Sequence, residues 1–260
     1  MHLLFPSDPF AAASPDEAYA EEYDAMRMSG VQCSLFCFEE FEAGRFKAKP
    51  AIPPNAEVVY RGWMMTPDAY VKLSSAVASA GATLRTSPDE YRHCHYLPEW
   101  YASCQEFTPE TRFFARDSNF AVELADANWP GYFVKDYVKS LTTARGSVAA
   151  SIHEVGEIVS LIEQYRGQVE GGVCVRRLES LLPETEERYF VIDGHAFARD
   201  GVVPQVVRDI ATRVSSPFFS VDMVQAEGGD LRLIELGDGQ VSDRKKWPAA
   251  RFAQVLSAGK

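Results

Sequence analysis

The stretch FFSVDMVQAEGGDLRLIELGDGQVSD, residues 218–243, decides the fold. Two apolar runs joined by a Gly-Gly turn predict a β-hairpin, and each run holds one carboxylate, Asp222 or Glu235. An even-numbered loop over AEGG puts both carboxylates on one face, opposite or on a diagonal, within reach of one ion. An odd-numbered loop would place them on opposite faces of the hairpin.

Two unpaired carboxylates at this separation repel each other, and a divalent cation relieves the repulsion through hard-oxygen coordination. Magnesium typically binds one or two carboxylates together with phosphate oxygens. The alternative is a pair of solvated acids on an exposed face. Four apolar residues on the same face make that alternative less favourable: Phe218, Val224, Leu231 and Leu233. The hairpin therefore predicts a magnesium site.

A second chemical signal is the segment YFVKDYVKS, read as a strand with lysines four residues apart, Lys135 and Lys139. On a strand both lysines face the side that Phe133 and Tyr137 line. A lysine among aromatic residues needs an anionic partner, and phosphate is a suitable one. Surface lysines are the alternative, particularly for Lys139. The small-residue loop 140–147 that follows offers backbone amides for phosphates.

Two arginines lie on apolar strands, Arg176 in GGVCVRRLE and Arg188 in EERYFVIDG. Arg188 shares a strand face with Phe190 and Ile192, which favours an anionic ligand such as phosphate or carboxylate. The alternative is an internal ion pair with one of three nearby acids: Glu170, Glu179 or Glu187. The arginines alone leave both interpretations open.

The composition is that of a globular protein, with 260 residues, 46% hydrophobic content and a formal net charge of −11. This charge argues against nucleic-acid and anionic-membrane partners, and no apolar run is long enough to predict a membrane helix. Five cysteines without paired spacing and a start without signal-peptide features predict a cytoplasmic protein. The segment RHCHY has no CxxC or HxxxH partner, which favours polar loop or core residues over zinc.

The first half of the chain alternates strands and helices, which predicts a parallel α/β layer. A strand at MHLLFPS is followed by a helix capped by Ser14 and a second strand over residues 31–41; a later helix has Thr66 as its N-cap and ends at Gly81. The second half mixes strands and helices, including a helix with a Ser151–Glu154 cap and a hairpin turn at Asp193-Gly194. The predicted class is α+β, and the boundary between the two halves is expected between about residues 110 and 128.

The ordered segments FVKDYVKS, VCVRRLE, ERYFVIDG, SVDMV and LIELGDGQVSD resemble the ATP-grasp fold, and specifically its divergent clade named for an arginine and two lysines. YRGWMMTPDAY and HYLPEWY are also similar to that clade, so the resemblance covers most of the chain. It implies an α/β pre-ATP-grasp domain over residues 1–125 and an ATP-grasp domain over 126–260. The latter would have a first lobe and hinge at 126–180 and a second lobe with the metal site at 181–260.

The resemblance also implies roles for the polar residues. Lys135 and Lys139 would contact the phosphates of ATP from the first lobe, and Arg188 would reach them from the second. Lys135, Arg176 and Arg188 would act in catalysis. The hinge would meet adenine through its backbone and comprises four residues: Arg176, Arg177, Leu178 and Glu179.

Magnesium would bind Asp222 and Glu235. Many members of the family have an Asn two residues after that Glu, whereas this chain has Gly237, which makes Asp238 the candidate third ligand. In the N-terminal half, Arg61 is a candidate for gripping a substrate carboxylate. The alternative is a structural arginine stacked on Trp63 or Tyr60.

The reaction implied is ATP- and magnesium-dependent ligation, in which a carboxylate is activated as an acylphosphate and then attacked by an amine. The substrate would be an amino acid, a peptide or a protein side chain. Two alternatives remain: an ATP-binding assembly or regulatory protein that performs no ligation, and a kinase that transfers phosphate without a second step.

Overall fold

The computed structural model describes residues 1–258 and divides the chain into two compact units. The first unit comprises Met1–Cys94, Glu187–Val221 and the chain from Gly237 onward; the second comprises His95–Glu186 and Asp222–Leu236. The units interleave along the sequence, so neither coincides with the predicted segments 1–125 and 126–260. The assignment of those segments to a pre-ATP-grasp and an ATP-grasp domain stays a prediction.

Strands and helices are mixed throughout, which confirms the α+β class. In chain order the strands are β1 (His2–Pro6), β2 (Gln32–Phe36), β3 (Glu57–Tyr60), β4 (Thr83–Leu84), β5 (Thr111–Phe114), β6 (Tyr132–Asp136), β7 (Val148–Ala149), β8 (Val173–Arg177), β9 (Leu181–Ile192), β10 (His195–Phe197), β11 (Phe218–Ala226) and β12 (Leu231–Asp238). The helices are α1 (Ala20–Met28), α2 (Phe38–Glu42), α3 (Pro67–Ser79), α4 (Pro88–His95), α5 (Leu97–Cys104), α6 (Phe120–Glu123), α7 (Val155–Arg166), α8 (Gln205–Ala211) and α9 (Ala249–Ala258), with 3-10 turns at Glu17–Tyr19 and Ile152–Glu154.

The first unit contains the predicted parallel sheet, in the order β2-β1-β3-β4. All five residues of β1 are buried because the strand is central and both of its faces are covered. Side chains alternate between the two faces, so Leu3 and Phe5 join one core cluster and Leu4 joins another.

Local signals in the first unit succeed where the cap residue has no competing partner. Thr66 caps α3 by accepting the backbone N–H of Ala69 at 3.3 Å, and Gly81 follows the helix with φ +81°, as predicted. Ser14 is not a cap, because its backbone is bonded in the turn that begins at Asp8. Asp16 caps the first turn instead, by accepting the N–H of Ala18.

The predicted strand over residues 31–41 is too long. β2 ends at Phe36, and α2 begins at Phe38. The helix carries Phe41 back onto Phe36, with the ring centroids 5.9 Å apart in an edge arrangement. Burial of these two rings therefore stabilises a helical turn where the sequence pattern continues a strand.

The second unit is organised around an antiparallel sheet with the order β5-β8-β6-β7. α7 covers this sheet through four buried residues in helical spacing: Val155, Ile158, Val159 and Ile162. A capping box between Ser151 and Glu154 precedes the helix, and Gly167 ends it with φ +79°, which confirms both predicted signals.

A third sheet has the strand order β10-β9-β11-β12, and the division between the two units falls within β9, β11 and β12. β9 and β10 form the predicted hairpin, in which Asp193 and Gly194 both have positive φ angles, 49° and 75°. The hairpin of residues 218–243 is also confirmed. Its loop has four residues, 227–230, closed by a hydrogen bond from Ala226 N to Asp230 O at 2.8 Å.

Along residues 1–258 no helix combines the length and the apolar character needed to cross a lipid bilayer. All five cysteines are thiols rather than disulfides.

Candidate functional site

The second unit contains a cavity of about 330 Å³, within the size range of small-molecule sites. Its polar lining combines both charge signs: Lys135, Ser140, Arg176, Arg177, Glu179, Glu186 and Glu235. Its apolar lining comprises Pro109, Phe133, Leu178, Leu181, Pro183, Val224 and Ile234. Seven of the predicted site residues were assigned to nucleotide binding, and five of them line this one cavity.

Lys135 lies on β6, in the interior of the antiparallel sheet, and only 5% of the residue is exposed. Its ammonium Nζ faces Glu235 Oε1 at 3.4 Å, while the Glu235 side chain is 39% exposed. A buried ammonium group requires a negative partner, and one partly hydrated carboxylate at this distance is a weak one. The structure therefore brings the predicted phosphate-binding lysine and a predicted metal ligand together.

The prediction that Lys139 shares a strand face with Lys135 is wrong. β6 ends at Asp136, whose side-chain oxygen accepts the backbone N–H groups of Val138 and Lys139 and turns the chain. Asp136 is itself held by Arg166. Lys139 consequently lies in the turn after the strand and is exposed.

The loop 140–147 is anchored at both of its ends. Ser147 Oγ accepts the N–H of Leu141 at 2.7 Å, and Arg145 contacts Glu154 in the cap of the following helix at 2.9 Å. Ser140, at the beginning of the loop, lines the cavity. That the loop amides cover phosphates stays a prediction.

Arg176 is buried beside the cavity, and its guanidinium is partly committed to the protein. Nη1 donates to Ile234 O at 2.8 Å, and Nη2 donates to Thr108 Oγ1. Nε has no hydrogen-bond partner among residues 1–258. Burial lowers the pKa of Arg176 to about 10. One buried donor of Arg176 is thus left without a partner in the described chain.

The predicted hinge follows β8 at the cavity wall. Leu178 N donates to Gly131 O at 3.0 Å, which leaves that N–H unavailable to a base. The carboxylate of Glu179 is held by Arg232 through two contacts, at 2.8 and 2.9 Å. Glu179 is therefore the internal partner of Arg232, and this ion pair neutralises the Glu179 carboxylate at the cavity wall.

Arg188 belongs to the first unit, where its Nη1 contacts the backbone oxygen of Asp243 at 2.9 Å and the carboxylate at 3.0 Å. The alternative interpretation of Arg188 named other acids. Of these, Glu187 pairs with Arg199 and Lys246. The Asp243 side chain is 77% exposed, so solvent screens this ion pair. That Arg188 reaches the phosphates of ATP stays a prediction.

The two predicted magnesium ligands of the second unit differ in exposure. Asp222 is 1% exposed within β11, whereas Glu235 opens on the cavity. The part of the chain that the structure describes has no group of three or more His, Cys, Asp or Glu side chains placed to hold a metal ion. A magnesium ion bound here needs further oxygen ligands, which the phosphates of a nucleotide supply.

The last residues of β12 leave no room for a side chain at Gly237. A Cβ atom at Gly237 would lie 2.7 Å from Ser242 Oγ and 3.0 Å from Ser220 Oγ, and these two hydroxyls already bond each other. Asp238 is fully buried in the first unit. Its Oδ1 accepts the N–H of Gln240, while Oδ2 has no partner within residues 1–258. Burial raises the pKa of Asp238 to about 7.

The expectation that Arg61 grips a substrate carboxylate is not supported. Its guanidinium is buried in the first unit, where it forms a two-pronged pair with Glu22 at 2.6 and 2.8 Å and donates to the carbonyl oxygens of Gly239 and Ser242. The aromatic partner is Phe252, with its ring centre 4.7 Å away, rather than Trp63 or Tyr60. These contacts favour the structural alternative for Arg61, and a role in substrate binding stays a prediction.

Two residues of the second unit have environments that the sequence did not indicate. Thr108 is buried against Arg176 and Leu233. His95 lies on α4, where burial and the charges of Lys139 and Lys135 lower its pKa to about 3 and keep the ring neutral. Both environments depend on residues that are distant in sequence, so no local sequence pattern predicts them.

Comparison with known proteins decides the family. The sequence model of the ATP-grasp domain, family 3 of the clade named for an arginine and two lysines, matches residues 121–256, more than half of the chain. The chain belongs to this family. No curated protein sequence matches it.

Solved structures show that this member of the clade has the ATP-grasp fold over its full length. D-cycloserine synthetase DcsG aligns with a TM-score of 0.64 at 15% identity, over 100% of both chains. The ATP-grasp ligase PsnB, in a complex with minimal precursor, Mg and ADP, aligns with a TM-score of 0.61 at 15% identity, over 99% of this chain and 96% of PsnB. The macrocyclase MdnC of Microcystis aeruginosa MRC, bound to precursor peptide MdnA, gives 0.59 at 10% identity, over 99% and 100%.

Proposed function

We propose that this ATP-grasp protein is an ATP- and magnesium-dependent carboxylate–amine ligase. The observation that carries the proposal is the cavity of the second unit, where the buried ammonium of Lys135 has only the partly exposed Glu235 as a described partner. A triphosphate satisfies such an ammonium group far better than one hydrated carboxylate. The unpartnered Nε of Arg176, a residue that lines the same cavity, gives independent support.

The lining supports ATP as the nucleotide. Phe133, Leu178 and Ile234 supply apolar surface for a base, and Lys135 supplies positive charge for phosphates. We propose that the backbone of the hinge, residues 176–179, meets adenine through groups other than the Leu178 N–H, which is bonded to Gly131 O. The roles of Lys139 and Arg188 at the phosphates rest on the family resemblance alone.

We propose that Asp222 and Glu235 hold magnesium. A role of Asp238 as third ligand rests on the family resemblance alone, because Asp238 is buried in the first unit. Bound magnesium would neutralise charge on the transferred phosphoryl group. The Lys135–Glu235 contact keeps the carboxylate and the ammonium from being left unpaired before ligands bind. When ATP and magnesium are present, Lys135 would contact the phosphates and Glu235 would contact the magnesium ion.

The proposed reaction has two steps. A substrate carboxylate oxygen attacks the γ-phosphorus of ATP and displaces ADP; an amine then attacks the resulting acylphosphate and displaces phosphate. Cationic groups fixed by the sheet stabilise the negative charge that develops during phosphoryl transfer. Solved structures in the fold comparison include a D-cycloserine synthetase, an ATP-grasp ligase bound to a minimal precursor and a macrocyclase bound to a precursor peptide. We therefore propose an amino acid, a peptide or a protein side chain as substrate, and the cytoplasm as the place of action.

The test is a turnover screen with magnesium and ATP over amino acids and peptides, with ADP and phosphate release as the readout. Ligation predicts release that requires both a carboxylate and an amine, and a loss on the order of 10²–10³ in rate for Glu235→Gln and Asp222→Asn. A phosphorylated product formed without amine would identify a kinase. Tight ATP binding without turnover would identify an assembly or regulatory protein.

A further inference from the structure

We propose that Thr108 is a positioning residue for Glu235, acting through Arg176 and the backbone of β12. This inference rests on the proposed function, because it assigns Glu235 to magnesium. Thr108 lies in the loop between α5 and β5, and nothing in the family resemblance assigns it a role. It is 1% exposed and belongs to the same unit as Glu235.

The hydroxyl of Thr108 is used in both directions. It donates to Leu233 O at 2.7 Å and accepts a hydrogen bond from Arg176 Nη2. Arg176 Nη1 in turn donates to Ile234 O at 2.8 Å. Thr108 and Arg176 therefore hold the carbonyl groups of the two residues that immediately precede Glu235.

The neighbouring backbone extends this contact along β12. Leu233 N donates to Phe107 O at 2.8 Å, and Arg232 Nη1 donates to Glu106 O at 3.1 Å. The segment Glu106–Thr108 thus lies along β12 and contacts Arg232 and Leu233, while Arg176 holds the next residue, Ile234. Hydrogen bonds on successive residues fix the local backbone, and the backbone fixes the direction in which the next side chain leaves it.

This direction matters because the Glu235 side chain has little else to fix it. The side chain is 39% exposed, and its described contact is the Lys135 ammonium at 3.4 Å. Groups that orient a metal ligand without touching the metal typically contribute 10–100-fold in metal affinity. Thr108 and Arg176 occupy that position, and Thr108 is the cleaner of the two to test because it does not line the cavity.

The experiment compares Thr108→Val with Thr108→Ser in the full chain. Valine keeps the shape but removes the hydroxyl, whereas serine keeps the hydroxyl. The readout is the magnesium concentration that half-saturates the binding of a fluorescent ADP analogue, with the affinity for the analogue at saturating magnesium measured separately. We expect the magnesium midpoint to rise about 10-fold in Thr108→Val and to stay near the wild-type value in Thr108→Ser.

A merely structural role predicts a different pattern, in which thermal stability falls but the magnesium midpoint of the folded protein does not move. That pattern would overturn the positioning role. Should Thr108→Val not fold, Thr108→Ala is measured in its place with the same expected midpoint. If the wild type binds the analogue without any magnesium dependence, the proposed metal site itself is overturned. If the wild type depends on magnesium and Thr108→Val has the same magnesium midpoint, the proposed function stands and the role of Thr108 is overturned.

Discussion

Arg61 and Lys135 are both buried cations next to apolar strands, yet the two units of the molecule treat them differently. In the first unit every side of the Arg61 guanidinium is occupied: Glu22 on two nitrogens, backbone oxygens on the third and the ring of Phe252 on one face. In the second unit Lys135 has the partly exposed Glu235 at 3.4 Å. One charge is neutralised in the folded chain, and the other is only partly so.

The comparison shows what separates a structural cation from a ligand-binding one. Burial alone does not, because both residues are at most 5% exposed. What differs is whether the hydrogen-bond donors of the cation outnumber the protein acceptors around them, and whether a cavity lies next to the donors that are left over. Arg176 lies between the two cases, since its Nη atoms hold the protein backbone and its Nε is left without a partner in the described chain. Ligand sites are expected where such donors meet a cavity.

The largest effect is expected from breaking the closed network of the first unit. Arg61→Met leaves the Glu22 carboxylate buried without its main partner. We expect the free energy of unfolding to fall by about 3–5 kcal/mol, the usual result of breaking a buried pair on one side. Urea unfolding measured by circular dichroism tests this.

Arg244 provides the matched control, because its Nε lies 3.5 Å from Glu22 at the rim of the same network. Arg244→Met should cost far less than Arg61→Met. Equal losses for the two variants would contradict the view that Arg61 is the neutralising partner. Selective loss of substrate binding in a stable Arg61→Met protein would restore the predicted substrate role.

The next effect is expected from Lys135→Met, and it should appear in turnover rather than in stability. Removing the ammonium should reduce the rate of ATP turnover by a factor on the order of 10²–10³. The free energy of unfolding should change by less than about 1 kcal/mol, because Glu235 is exposed enough to stay hydrated.

Lys72, an exposed lysine on α3, is the control for loss of positive charge, and Lys72→Met should leave both quantities unchanged. Steady-state kinetics and urea unfolding on the same preparations separate the two effects. A Lys135→Met protein that turns over ATP normally would remove Lys135 from the proposed site. A large loss of stability would make it a structural cation like Arg61.

The sequence predicts this site unevenly, and the reason is the range of the interactions. Features set by neighbouring residues follow the prediction: the Thr66 cap, the Ser151–Glu154 capping box and the turn at Asp193-Gly194. Lys135 and Arg176 were predicted because a cation on an apolar strand is visible in sequence; both line the cavity, and their roles there stay predictions. The order of the motifs pointed to the ATP-grasp clade, and the sequence comparison confirms that family.

What the sequence could not predict depends on distant partners. The carboxylate of Asp136 ends β6 before Lys139, and the strand pattern of YFVKDYVKS gives no sign of this turn. Arg61 is paired with Glu22, 39 residues away, so a substrate-binding and a structural arginine look alike in the sequence. Thr108 contacts Leu233 across a separation of 125 residues and was missed for the same reason.

The smallest effect concerns Asp238, the other buried acid of the first unit. Burial raises its pKa to about 7 from a usual value of 3.8. A carboxyl group with a raised folded-state pKa stabilises the fold fully below its unfolded pKa, and this contribution is lost as the pH rises toward 7. Asp238→Asn cannot ionise, so it lacks this loss and keeps an oxygen for the N–H of Gln240.

As the pH rises from 5 to 7, Asp238→Asn should therefore gain stability relative to wild type, by on the order of 1–2 kcal/mol in the free energy of unfolding. Unfolding is measured in magnesium-free buffer, so that a candidate metal ligand is compared without its ion. Asp209, an acid in the same unit that forms a side-chain hydrogen bond with Gln205 on the exposed face of α8, serves as control, and Asp209→Asn should show no such shift. If the difference between Asp238→Asn and wild type does not depend on pH, the Asp238 carboxyl of the wild type is ionised over this range. The first unit would then hold an incompletely neutralised charge of its own, which removes the contrast with the cavity around Lys135.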